Sequence, residues 1–221
     1  MEHCKLQIGC LIMLIYMAYT YVRECRGYKQ KMEKTLFDEL LSLGIASVIL
    51  DGVTAYTVNH LETVNPVLNR ILHALFLSSL DAVIFVLCLY MLLITGAYPK
   101  QKAGRVIIFA PFLVNSIGSL RYEIGSVTNY SMGVSAYTCF IMAAIYLLFT
   151  IAAFFRRWNY IESHKRAGIF TYLFVMAVVT GFQMVFPEAL ITSIAVTVLI
   201  LGVYMNLEDP AIKQLSCYHS E

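Results

Sequence analysis

Two carboxylic acids, Asp51 and Asp81, stand in the middle of long apolar stretches. A charged side chain among hydrocarbon costs about 3 kcal/mol on insertion scales, so such acids bind a proton or cation or floor a polar cavity. Two placed close together are not both ionised, because one keeps its proton or a cation lies between them. The chemistry open to the pair is a proton- or ion-sensitive switch, coupling of an ion to a carried solute, or hydrogen bonding that sets helix register. Each acid also belongs to a stripe of small or polar residues at helical spacing. Gly44, Ser47, Asp51, Thr54 and Ala55 form one; Ala74, Ser78, Asp81 and Cys88 form the other. Small stripes are where membrane helices approach closely. Both carboxyls are therefore expected to face inward near the bilayer midplane, with Thr54, Ser78 and Asn115 as hydrogen-bond partners.

A second group of chemical residues falls in the connections on one side. His60, Glu62 and Asn65 lie between the second and third apolar stretches, close to His73, while Arg121, Glu123, Tyr130 and Glu188 fall in later connections on that side. Together they are candidates for the rim of a small-ligand pocket. Catalytic motifs are missing. There is no His-Glu-x-x-His pair for zinc, no Gly-x-Ser-x-Gly elbow for a serine nucleophile, and no lysine in the last apolar stretch. The histidines do not cluster at ligand spacing, so the sequence points to no metal, no cofactor and no catalytic residue. The six cysteines leave no pair in the rim loops for a disulfide.

The elements that position these residues follow from composition. Hydrophobic residues make up 59% of the 221, charged residues only 14%, and mean hydropathy is +0.71. A bilayer core needs about 20 apolar residues of helix, and backbone groups in lipid must be satisfied within the segment. The pattern predicts helices near 5–22, 40–60, 69–95, 104–120, 133–155, 167–186 and 189–206. The fourth holds Pro111 and Asn115 and is expected to be short or kinked. The resulting fold is an all-α integral membrane bundle of seven helices spanning 1–206, with a short tail at 207–221. Thirteen of the sixteen Lys and Arg fall on one side of it. Because positive loops stay in the cytoplasm, the N-terminus is expected outside and the C-terminus inside. On the inner side, Phe154-Phe155-Arg156-Arg157-Trp158-Asn159-Tyr160 suits an interfacial belt against anionic lipid headgroups. Membrane topology already explains that charge, so no nucleic-acid partner is expected.

Certain strings carry a resemblance. Tyr56-Thr57-Val58-Asn59-His60 with Thr63-Val64-Asn65-Pro66 resembles the N-terminal seven-helix sensor region of multidomain signalling proteins in Gram-positive bacteria. So do Asn129 to Tyr137, Arg157 to Arg166, and Asn206-Leu207-Glu208-Asp209-Pro210. That region is similar to the input domain ahead of histidine kinases, GGDEF diguanylate cyclases and HD-GYP phosphodiesterases. The resemblance implies a multi-pass protein of the bacterial plasma membrane, a stimulus or small ligand from outside or within the bilayer, and a cytoplasmic signalling effector in cis or in trans. A homodimer is a candidate assembly. Asn206, Asp209 and Pro210 then form the output end, and the effector's enzymatic activity is not expected within these 221 residues. A small ion-coupled transporter using Asp51 and Asp81 is the alternative reading.

Topology is directly testable. A reporter that fluoresces only in the cytoplasm is expected to be bright when fused after Glu221 and dark when inserted near Thr128. A dark C-terminal fusion would remove one span, the fourth being the first to go.

Overall fold

The structure, a computed structural model, describes residues 4–24, 32–99, 101–114, 120–123, 130–161, 163–186 and 191–205. Seven α-helices appear among them: α1 (Lys5–Glu24), α2 (Met32–Val58), α3 (Pro66–Ile94), α4 (Lys102–Val114), α5 (Val134–Arg156), α6 (Ser163–Val185) and α7 (Thr192–Val203). Each matches one of the apolar stretches. Four of them, α1, α3, α5 and α6, are long and apolar enough to cross a membrane, while α7 is a shorter apolar helix. The chain is thus an α-helical protein of membrane character. One departure from the all-helical expectation is an antiparallel hairpin, in which β1 (Leu120–Glu123) pairs with β2 (Tyr130–Gly133), Leu120 opposite Gly133. It occupies residues expected to form the last turn of a helix and a loop. Each strand carries a tyrosine, Tyr122 and Tyr130, a residue type that favours strands.

The helix ends are chemically marked. Asn65 caps α3, its side-chain oxygen accepting from the backbone of Val67 at 2.8 Å and of Leu68 at 3.5 Å, with Pro66 at the first helical position. At the other end the Ala97 N–H reaches the Leu92 carbonyl at 2.8 Å and the Gly96 N–H reaches that of Leu93 at 3.0 Å. Gly96 has φ +68°, which closes this terminal motif without a Cβ clash. In α4, Pro111 removes one ladder donor. One turn away the Tyr146 hydroxyl of α5 donates to the Ile108 carbonyl at 2.8 Å, holding the interrupted helix to its neighbour.

Helix α2 occupies the centre, packed on α1, α3 and α7, and α7 also touches α1 and α6. On the far side α3 meets α5 and α4, and α5 meets α6. The buried face of α3 runs through Asn69, His73, Phe76, Val83, Ile84, Leu87 and Met91, at the three- and four-residue spacing of one helix stripe. The outward surface stays apolar: Ile12, Tyr16, Leu148, Phe170, Phe174 and Val185 are all exposed. A water-facing surface rarely carries so much apolar area; hydrocarbon accommodates it.

Packing between α2 and α7 depends on one missing side chain. A Cβ at Gly44 would stand 2.2 Å from Cδ1 of Ile200, itself fully buried. Gly44→Val is expected to lower thermal stability by about 1–3 kcal/mol through overpacking. Ile200→Ala costs about 2–5 kcal/mol on its own, yet it opens room for the added valine. The double variant should therefore lose clearly less than the two single losses added together. Simple additivity in a thermal unfolding series would show that the two helices do not meet there.

Candidate functional site

Asp51 is buried at 4% exposure, seven residues or about 10 Å from the end of α2 nearest the α2–α3 turn. Its carboxyl joins three helices. The Ser193 hydroxyl of α7 donates to Oδ2 at 2.5 Å, and the Gln7 side-chain amide of α1 donates to the same oxygen at 3.3 Å. The Ser193 backbone N–H lies beside the same carboxyl. Local sequence makes this convergence possible. Gly52 presents no side chain, so α1 packs against it with Gln7 Cβ 3.5 Å from where a Cβ would stand, and Cys4 donates its thiol hydrogen to the Gly52 carbonyl at 3.3 Å. Ser193 lies in the first turn of α7, where backbone N–H groups have no partner inside the helix. Asp51 therefore acts as a cap for α7 supplied from another helix.

The neighbouring hydroxyls do not reach the carboxyl. Thr54 donates to the Asp51 backbone carbonyl at 3.0 Å, Thr57 to that of Thr54 at 3.2 Å, and Thr197 to that of Ser193 at 2.7 Å. Such back-bonding satisfies a threonine within its own helix. Of the stripe expected on α3, Ala74 and Ser78 are exposed on its outer surface, while Asp81 and Cys88 are buried, Cys88 against Thr150 of α5. Asn115 lies outside the described residues. The partners of Asp51 are Gln7 and Ser193 instead.

The two acids do not share a site. Asp81 lies fifteen residues from the start of α3, about 22 Å along it, so the carboxyls differ in depth by about 12 Å. Its neighbour is the Cys139 thiol of α5. At the depth of Asp51 the ionisable side chain on α3 is His73, seven residues from Pro66 and 3% exposed. One turn nearer the α2–α3 turn is Asn69, 1% exposed, with neither side-chain polar atom hydrogen-bonded. Gln7, Ser193 and Asn69 are thus among the buried polar groups that sequence reading missed. The available signal was a lone amide or hydroxyl inside an otherwise apolar helix.

The expected rim residues that are described lie on α3, in the α2–α3 turn and in the hairpin. His60 lies against Tyr56, ring centroids 4.2 Å apart, with Nδ1 2.8 Å from the Tyr56 carbonyl. Asn65 is a helix cap and Glu62 is exposed. Arg121, Glu123 and Tyr130 lie in the hairpin, where Glu123 pairs with Tyr130 through the backbone. Glu188, Asn206, Asp209 and Pro210 fall outside the described residues. A cavity of about 70 Å³ lies among α3, α5, α6 and α7, lined by Leu80, Ile84, Cys139, Met176, Gln183 and Leu199 among others. Among the described residues no cluster of three metal-ligating His, Cys, Asp or Glu occurs.

At the opposite end of the same three helices, aromatic rings replace polar groups. Tyr21 of α1 packs edge-on to Phe37 of α2 at 4.8 Å, and Tyr204, which caps α7, stacks on Phe37 at 6.3 Å and meets Tyr21 at 6.1 Å. α7 is therefore held to α2 at three heights: Ser193 on Asp51, Ile200 over Gly44, and Tyr204 on Phe37.

The carboxyl's role can be measured. Asp51→Asn keeps the shape and an acceptor oxygen, so unfolding free energy should change by no more than about 1 kcal/mol. Asp51→Leu leaves buried donors on Ser193 and Gln7 without an acceptor and should cost about 2–3 kcal/mol. Equal losses for the two substitutions, read from thermal unfolding in detergent, would show that the hydrogen bonds do not hold the helices.

No protein-family model, curated protein or solved structure matches the chain, so its function is read from its own residues.

Proposed function

We propose that this chain is a membrane signal-input module, built like the seven-helix sensor regions that its sequence resembles. In this reading all seven helices cross a bacterial plasma membrane, the α2–α3 turn and hairpin face outward, and α7 carries the signal to a cytoplasmic output. That output is of the cyclic di-GMP or two-component kind, in cis or in trans, and the chain itself performs no catalysis. The observation that carries the reading is the attachment of α7. A carboxyl at one end, a glycine contact in the middle and a ring stack at the other tie this short helix to α2. A disturbance near Asp51 can then reach Tyr204 as a displacement of one packed element, the shift of a helix against its neighbours that signalling bundles use. Phe154, Trp158 and the arginines around them anchor the inner side, with Arg166 5.0 Å above the Trp158 ring and bonded to the Ile161 carbonyl at 2.8 Å.

The ion-coupled carrier is less well supported. Its two acids lie on different helix interfaces, so they form no paired site at one depth. Transporters of that kind also place broken helices in pairs around a midplane site, whereas α2 and α3 run unbroken through 27 and 29 residues.

The test is transfer of output. The full chain fused after Glu221 to a diguanylate cyclase catalytic domain should produce cyclic di-GMP at a level that changes several-fold in Ser193→Ala and Asp51→Asn. Ser193→Thr, which keeps the hydroxyl, should stay near the parent level. The unfused chain should neither make nor hydrolyse cyclic dinucleotides. Unchanged output in every variant, or proton- or sodium-driven solute uptake in proteoliposomes that Asp51→Asn abolishes, would replace the sensor with another function.

A further inference from the structure

Helices α2, α3, α5, α6 and α7 close a ring, each packed on the next and α7 back on α2. The cavity of about 70 Å³ is lined from four of these five, α3, α5, α6 and α7. Its floor is made of buried apolar groups: Leu87, Ala143, Met176, Val196 and Leu199. Water held in such a space needs several polar partners, and these side chains supply none, so the floor favours an apolar occupant. An apolar cavity of roughly 150 Å³ admits benzene, so one of about half that volume takes a chain of about three carbons.

One part of the wall is polar. Thr180 and Gln183 of α6 and Thr192 of α7 line the cavity where α6 gives way to α7, and all three are half-buried. Gln183 Oε1 accepts the Ile191 backbone N–H at 3.2 Å, which ties the end of α6 to the start of α7 at this corner. Elsewhere in the bundle Thr138, Thr150, Thr171 and Thr197 each donate to the carbonyl four residues earlier on their own helix. Thr180 lies inside α6 with such carbonyls before it, yet its hydroxyl makes no such bond. Neither it nor the Thr192 hydroxyl donates to any group among the described residues. A threonine that forgoes the bond to its own helix keeps its donor and acceptors for another molecule.

We infer that this cavity binds a short uncharged molecule with an apolar chain of about three carbons and one hydroxyl, a primary alcohol in the simplest case. The chain occupies the floor between Leu87, Met176 and Leu199, and the hydroxyl bonds to Thr180 and Thr192. A few placed polar groups that orient an otherwise apolar ligand are the ordinary design of such a pocket. A charged head finds no partner, because no Lys, Arg, Asp or Glu is among the described residues that line the space. Thr192, Val196 and Leu199 all belong to α7, the helix that Asp51, Gly44 and Phe37 hold to α2. Where the chain is a sensor, an occupant here bears directly on its output helix.

The site stands whether or not the chain is a sensor, and the experiment keeps the two apart. The purified full chain in detergent is melted at rising concentrations of propan-1-ol. Alcohol also acts on the micelle and the unfolded chain, and Ala143→Leu, which fills the floor, reports that background. At about tenfold over half-saturation the parent midpoint, corrected for that background, should rise by about 3 °C, the scale that ligand linkage gives for a protein of this size. Thr180→Val and Thr192→Val keep the shape and remove the hydroxyl, and each should raise the half-saturating concentration about fivefold, the worth of one hydrogen bond. If Ala143→Leu does not fold, Ala195→Val narrows the same space and takes its place. Equal responses of the parent and the filled variant, or valine variants that bind as the parent does, overturn the site. A shift in midpoint while the cyclase fusion's output ignores propan-1-ol supports the site and separates it from the sensor reading, which is decided by the Asp51 and Ser193 variants.

Discussion

A carboxyl in the middle of a helix finds the backbone N–H groups around it already used by the helix itself, so its donors come from other helices, and Asp51 is where this chain meets that constraint. Its carboxyl accepts from Ser193 and Gln7 and so determines how α1 and α7 lie on α2. The arrangement also solves a problem for α7. A helix in hydrocarbon leaves its first N–H groups without acceptors, and the N-cap residue here, Ile191, has no side chain that could accept. Asp51 supplies oxygen to that turn, while the positive end of the α7 dipole lies against it. One residue thus meets two needs, since α7 requires an external acceptor and the carboxyl requires donors.

The remaining contacts of these three helices follow from distance. Close approach at Asp51 brings the axes of α2 and α7 together, and only a residue without a side chain fits opposite Ile200, which is Gly44. Toward the other end Tyr21, Phe37 and Tyr204 pack the three helices with rings in edge and stacked arrangements. Lipid supplies no hydrophobic drive for helix association, so such packing and the few interhelical hydrogen bonds must do what water exclusion does elsewhere. The other half of the bundle uses the same means with different residues. Phe85, Phe112 and Tyr146 pack α3, α4 and α5 together, and Thr150 of α5 donates both to the Tyr146 carbonyl at 2.9 Å and to the Cys88 sulfur of α3 at 3.7 Å.

Hydrogen-bonding chemistry also explains which polar residues hold helices together. Thr54, Thr57 and Thr197 are as buried as Ser193, yet each donates to a carbonyl three or four residues earlier on its own helix. Ser193 is the second residue of α7. Its hydroxyl reaches across to Asp51.

The sequence alone determined the helices. Apolar runs of sufficient length leave no alternative in lipid, and Asn65-Pro66 and Gly96 mark the ends of α3 by local backbone chemistry. It also singled out Asp51, because a carboxyl amid hydrocarbon is conspicuous in one dimension. The partners of Asp51 were not legible, since Gln7 lies 44 residues before it and Ser193 142 residues after it, and no periodicity within one helix reports which face of a distant helix it meets. For the same reason the stripe through Ala74 and Ser78 read as an interface on α3 while the bundle leaves both on its surface. Depth was misread too: an apolar run shows that a helix spans, whereas the packing of α3 against α2 and α5 shows how far along it Asp81 stands from Asp51. Helix formation is settled by hydrogen bonds four residues apart, and the site by contacts among α1, α2 and α7 that only the folded bundle brings together.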